Sequence, residues 1–196
     1  MVSPDIRLTF YNAGHILGSA MTHLYIGNGL HNFMYTADMK YMDSRVLNKA
    51  VTKFPRLESL MIESTYGGKD CILPSRQKAE DEVGELVTKT VARGGKVLIP
   101  VLGSGRAQEI MMVIDHYMKS GEMVEAPVFT EGMISEASAI HESYPEYLAR
   151  ELKQKILETD DNPFDSEYFT NIEHADAREE PMRDNSPCII LATSGM

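Results

Sequence analysis

The sequence predicts an α/β protein in two unlike parts, and three patterns carry that prediction. Up to about residue 63 the apolar residues fall in short, strand-like segments separated by small and polar residues. From about residue 74 apolar strands alternate with amphipathic helices. Glycines punctuate that second rhythm, Gly94-Gly95 closing one helical pattern and Gly121 the next. Regular alternation of strand and helix implies a parallel sheet with helices on its faces.

The elements follow in order. Ile6, Leu8 and Phe10 alternate with Arg7, Thr9 and Tyr11, predicting a half-buried strand over 6–11. MTHLYI (21–26) is a second strand, GNGLHN a turn, and FMYTA (33–37) a third strand. LESLMIE (57–63) is mostly apolar and so is expected to be central in its sheet. Ser75 is placed to cap a helix whose apolar positions are Ala79, Val83, Leu86, Val87 and Val91. KVLIPV (96–101) reads as a buried strand. Arg106 to Lys119 forms a second amphipathic helix, with Ala107, Ile110, Met111, Ile114 and Met118 on one face. APVFT (126–130) is a short strand, and a helical stretch from Ile134 to about Lys155 breaks near Pro145. An acidic loop over 158–187 precedes a last strand, CIILAT (188–193).

Composition narrows the class. At 196 residues with 43% hydrophobic content, the chain can bury one sizeable core or two partial ones. No apolar run approaches the ~18 residues of a membrane span, and no basic-then-apolar leader opens the chain, so the expectation is cytoplasmic with no membrane partner. Cys71 and Cys188 form no CxxC and are expected to be buried structural thiols. The net charge of −10 is unevenly spread: residues 141–185 hold thirteen acidic and five basic side chains, leaving −2 for the rest. A concentration of this kind reads as a solvated face and does not exclude an anionic partner.

Two constellations could carry chemistry. His15, Asp38 and Glu63 each lie at or just beyond a strand end, and an imidazole with carboxylates suits zinc. Singly, a loop histidine or strand-end aspartate is more often structural or solvated. His23, His31, His116, His141 and His174 have no partner spacing and are read that way. The second constellation is IPVLGSGRAQE (99–109), where a strand runs through Gly103-Ser104-Gly105 into a helix. Backbone N–H groups and the helix dipole there could seat an anion, with Arg106 adding a bidentate phosphate contact. A tight structural turn explains the same residues equally well, and no Walker-type GKS or GKT follows. Ser194, in the terminal TSG, has the same ambiguity.

AGHILGSA, YTAD, IESTYGG, IPVLGSGRAQE and CIILATSGM, in this order and spacing, resemble the β-CASP branch of the metallo-β-lactamase fold. Within it the likeness is to the archaeal homologues of the nuclease subunit of the cleavage and polyadenylation specificity factor, over residues 6–196. The resemblance implies part of a metallo-β-lactamase αββα sandwich over 1–67 and a β-CASP parallel-sheet α/β domain over 68–196. It implies that His15 is a zinc ligand, that Asp38 bridges two zinc ions, and that Glu63 orients a later histidine that protonates the leaving oxygen. The implied reaction is zinc-dependent hydrolysis of RNA phosphodiesters, endonucleolytic with a 5′–3′ exonuclease mode as an option. A homodimer is left open.

The chain departs from the family pattern too. It has no HxH, so the family's HxHxDH cluster is absent, as are the two histidines that follow the β-CASP insertion. The glycine usual before the bridging aspartate is Ala37. The chain is therefore expected to be an internal fragment, inactive alone for want of ligands. Two alternatives stay open: a noncatalytic paralogue that scaffolds RNA, and a metallo-hydrolase of small esters.

Overall fold

The computed structural model describes residues 3–159, 161–172, 174, 177 and 179–193. The chain divides into two compact units, Met1–Ile72 and Leu73–Met196.

The first unit is built on a four-stranded sheet in the order β1 (Ile6–Asn12), β2 (Ala20–Ile26), β3 (His31–Tyr35), β4 (Ser59–Met61). The first three strands form an antiparallel meander, and β4 joins β3 in parallel. Pairing sets which side chains share a face. Tyr11 opposes Met21, Thr9 opposes His23, and His23 opposes Met34. This is the covered face: Met21, His23, Asn32 and Met34 are buried. The irregular segment between β3 and β4 lies against it, where Met39, Ala50, Val51, Phe54 and Leu57 join Ala13, Met21 and Met34 in one cluster. The Tyr11 and Phe54 rings meet edge to face at 5.2 Å. Backbone bonds from Lys40 N to Ala13 O (2.9 Å) and from Val51 N to Asn12 O (3.0 Å) tie that segment to the end of β1. Fully burying a side chain such as Met34 contributes about 1.5–3 kcal/mol.

The alternation of β1 keeps Ile6 and Leu8 half-buried between exposed Arg7 and Thr9 but reverses at the strand's end, where Tyr11 packs inward and Phe10 is 65% exposed. The apolar LESLMIE segment yields only three strand residues at the sheet's edge, with Leu60, Met61 and Ile62 more than half exposed. Its apolar character matched a central strand, but it pairs on one side only among the described residues.

The second unit holds a parallel sheet ordered β5 (Val97–Val101), β8 (Ile189–Thr193), β6 (Val128–Glu131), β7 (Phe169–Ile172). Val97, Ile189 and Val128 are register partners and buried, as is Leu191 two residues along. Helices α1 (Arg76–Ala92), α2 (Arg106–Lys119) and α3 (Ile134–Ser143) accompany the sheet. Ser75 caps α1, its side chain accepting from Lys78 N. The buried stripe of α1 is Glu80, Gly84, Val87 and Val91, which turns Leu86 outward, against the expectation for that residue. In α2 the buried surface is wider than predicted, adding Gln108, Val113, Asp115 and Tyr117.

Three further expectations are corrected. Among the described residues β5 is an edge strand, and its alternate residue Leu98 is exposed. The stretch 158–187 is not all loop: it contains β7 and the short helix α5 (Glu179–Arg183). β7 has four residues of mixed character, FTNI, too short for a periodic signal. Cys188 is buried as expected, but Cys71 is exposed. The broken helix near Pro145 resolves into α3, a 3₁₀ turn over Pro145–Tyr147, α4 (Arg150–Gln154) and a π turn over Lys155–Thr159.

A charged network staples this last region to α2. Lys119 Nζ reaches Asp115 (3.0 Å) and Asp161 (2.6 Å), and Lys155 Nζ reaches the other Asp161 oxygen (3.1 Å). Hydrogen bonds from Lys119 and then Lys155 hold the Asp161 carboxyl below its usual range. A carboxyl depressed by folding stabilises the fold above its unfolded pKa and loses that contribution as pH falls through the folded value. Asp161→Asn is therefore expected to lower the melting temperature at pH 7 and to reduce its decline on acidification, read by thermal unfolding from pH 7 to pH 3.

Just past β3, Ala37 sits in the left-handed region at φ 49°. A residue with a Cβ pays roughly 1–2 kcal/mol there, and glycine does not. Ala37→Gly is expected to stabilise the chain by up to about 1 kcal/mol, after the larger unfolded-state entropy of glycine is subtracted, and a lower melting temperature would contradict this.

Candidate metal centre

Strand direction brings the first constellation together. β1 and β3 both run antiparallel to β2, and β4 runs parallel to β3, so the C-terminal ends of β1, β3 and β4 lie along one sheet edge. His15, Asp38 and Glu63 follow those three ends.

His15 is carried by a tightly bonded loop. Asn12 Oδ1 accepts from Gly14 N (3.0 Å), and Asn12 Nδ2 donates to Lys49 O (3.2 Å). Ser19 Oγ accepts from both His15 N and Ile16 N at 3.2 Å. Gly14 adopts φ 65°, and a Cβ on it would lie 2.7 Å from Ala50 N, so the loop needs glycine at this point for both conformation and space.

His15 Nε2 stands 3.9 Å from Asp38 Oδ2, with both side chains partly open to solvent. That separation is too wide for a hydrogen bond. Glu63 is half-buried beside them. Its Oε2 accepts from Thr65 N at 2.8 Å, and its own N–H donates to Thr36 Oγ1 at 3.2 Å. Its carboxyl is held below the usual range mainly by the Thr65 backbone and hydroxyl, with smaller contributions from Met39 N–H and from His15. Glu63 is thus an ionised acceptor at neutral pH.

An imidazole nitrogen and a carboxylate oxygen are donors that zinc accepts. His15 and Asp38 fit that ion in kind and could offer it two donors. Among the described residues, no group of three or more His, Cys, Asp or Glu side chains is placed to hold a metal.

The second constellation is arranged differently from the sequence reading. Gly105 caps α2 at φ 81°. Its N–H donates to Gln108 Oε1 (2.7 Å), Arg106 N donates to Ser104 O (3.1 Å), and Ala107 N to Leu102 O (3.2 Å). The Gly105, Arg106 and Ala107 amides are therefore engaged within the chain, and Leu102, Ser104 and Arg106 have exposed side chains. Gln108 is fully buried and anchors the turn, its Nε2 donating to Ser138 Oγ (3.1 Å) and Gly103 O (3.2 Å). Ser194 lies outside the described residues.

Four of the remaining five histidines have local contacts. His31 Nε2 is 3.0 Å from Ser59 Oγ, and His116 stacks edge-on against Tyr117. His141 Nδ1 meets Ala137 O at 2.6 Å, and burial pushes its pKa down. His23 is buried against the Tyr11 ring, and His174 is exposed. Asn12, Ser19, Thr36 and Gln108 were given no role in the sequence reading, although the last three fall inside AGHILGSA, YTAD and IPVLGSGRAQE. Only Gln108 had a local signal, the three-residue spacing from the cap at Gly105.

Comparison with known proteins bears on the whole chain. A family model described as the Beta-Casp domain matches residues 107–196. Curated relatives include proteins named transcription termination factor FttA from Cenarchaeum symbiosum (69% identical), Methanocaldococcus jannaschii (54%) and Pyrococcus abyssi (52%). Each match covers 195 residues, 100% of this chain and 30–31% of the relative. The chain thus spans about three-tenths of the length of these relatives. With two β-sheets, several helices in the second unit, a Beta-Casp match over residues 107–196 and identity of this degree over its whole length, the chain is of the β-CASP/metallo-β-lactamase fold and homologous to archaeal transcription termination factor FttA.

Proposed function

We propose that this chain supplies part of the metal site and part of the RNA-binding surface of a zinc-dependent RNA phosphodiester hydrolase. The observation that carries the reading is the His15–Asp38 approach of 3.9 Å with the Glu63 carboxylate beside it. His15 and Asp38 would hold zinc, Asp38 as the bridging ligand of a two-ion site. Zinc in such a site lowers the pKa of bound water and offsets charge on the phosphoryl oxygens. Glu63, already ionised, is suited to accept a hydrogen bond from a histidine and fix its orientation. The reading divides the chain into a metallo-β-lactamase part, 1–67, and a β-CASP part, 68–196.

RNA would meet the loop that precedes α2, through Ser104 and Arg106 with Gly105 shaping the turn and Ser194 following β8. Because the Gly105, Arg106 and Ala107 amides are spent internally, that contact rests on side chains. The relatives' name supports a nascent transcript as the substrate, cut in the course of termination. Such a substrate would place the protein in the cytoplasm. Among the described residues no helix is long and apolar enough to cross a membrane.

Two measurements test this in a chain of the relatives' full length carrying this segment. Asp38→Ala is expected to remove bound zinc, measured by mass spectrometry, and to lower RNA hydrolysis by about 100-fold or more. Retention of both zinc and full activity would overturn the metal role. Arg106→Ala is expected to weaken RNA binding and to flatten the dependence of log K on log salt by about 0.7 for a single-stranded target. An unchanged slope and affinity would remove this loop from the RNA surface.

A further inference from the structure

Between the turns that carry Asp38 and Glu63 lies a residue that touches both. Thr36 follows the last residue of β3 and is 3% exposed. Its N–H donates to Met61 O at 3.0 Å, extending the parallel pairing with β4 by one bond. Its hydroxyl donates to Ala37 O at 2.8 Å and accepts from Glu63 N at 3.2 Å. One buried oxygen therefore joins the carbonyl of the residue before Asp38 to the amide of Glu63.

We propose that Thr36 is a positioning residue, whose hydroxyl locks the Asp38 turn and the Glu63 turn into one rigid unit. This rests on the reading of the rim as a metal and phosphate site. The physical case has two parts. The hydroxyl belongs to a buried side chain and both of its bonds are partly buried, so its loss leaves a carbonyl and an amide without that partner. Ala37 also occupies a left-handed conformation that a residue with a Cβ leaves readily, and the bond to its carbonyl restrains it there. Freed of that bond, the peptide leading into Asp38 can rotate, and Asp38 moves relative to Glu63. Among the described residues no side-chain hydrogen bond reaches the Asp38 carboxylate, which stands 3.9 Å from His15 Nε2, so its placement depends on this backbone.

The test uses Thr36→Val, which keeps the shape and removes the hydroxyl, and Thr36→Ser, which keeps the hydroxyl. Both are made in a chain of the relatives' full length, with hydrogen exchange, zinc affinity by chelator competition, and RNA hydrolysis as readouts. Thr36→Val is expected to speed exchange at the amides of residues 37–39 and 63–65 while the rest of the sheet is unchanged. It should weaken zinc about 10-fold or more and lower kcat with KM for RNA nearly constant. Thr36→Ser should behave like the parent. In the valine background, Ala37→Gly should restore part of the zinc affinity, because glycine holds the left-handed turn unaided.

Failure of the serine variant to rescue, or exchange in the valine variant that matches the parent at both turns, would overturn the proposal. So would a lowered melting temperature with zinc affinity and kcat intact, which is what a purely structural threonine predicts. A parent that binds zinc yet leaves RNA uncut would overturn the proposed function alone, and the exchange and zinc readouts would still decide the role of Thr36.

Discussion

The rim depends on strand direction more than on any single contact. Two antiparallel pairings and one parallel pairing put the C-terminal ends of β1, β3 and β4 side by side. Adjacent strands lie about 4.8 Å apart, so turns leaving that edge are within side-chain reach of one another. Residues separated by more than twenty positions then become neighbours. A reversed β4 would send Glu63 to the opposite edge, whatever its side chain.

Uncharged groups supply the fine adjustment. Ser19 Oγ collects the His15 and Ile16 amides, Asn12 spans from Gly14 to the 48–49 backbone, and Thr36 bridges Ala37 and Glu63. Charged ends at the rim are left partly open to solvent, while the backbone beneath them is bonded and packed. Such an arrangement suits a centre whose ligands must be exchangeable but whose spacing must not drift. The second unit shows the same division at α2, where buried Gln108 holds the turn and Ser104 and Arg106 project outward.

Parts of this were legible in the chain itself. The bounds of α2, the cap at Ser75 and the parallel sheet of the second unit follow from local signals, namely helical period, cap chemistry and strand–helix alternation. The positions of His15, Asp38 and Glu63 at strand ends were equally visible. The buried face of β1 was not, because Phe10 and Tyr11 are both aromatic and only pairing with Met21 and packing on Phe54 choose between them. Leu60 and Leu98 look like interior residues by composition. Their exposure follows from the edge positions of β4 and β5 in the described sheets. The four residues of β7 were lost inside an acidic stretch because so short a segment has no period to detect.

What the sequence determined alone was which residue types stand at which intervals: periodicity, caps, glycine punctuation, and donors suited to zinc. These are local properties, encoded within a few residues of one another. Tertiary structure decided which strand faces are covered, which described strands are edges, and that the Gly105, Arg106 and Ala107 amides are bonded to Gln108, Ser104 and Leu102. It also decided that a threonine given no role by the YTAD motif it belongs to sits between two candidate functional turns. Those outcomes require knowing what lies across a sheet or above a loop, and that information is distributed over the whole fold.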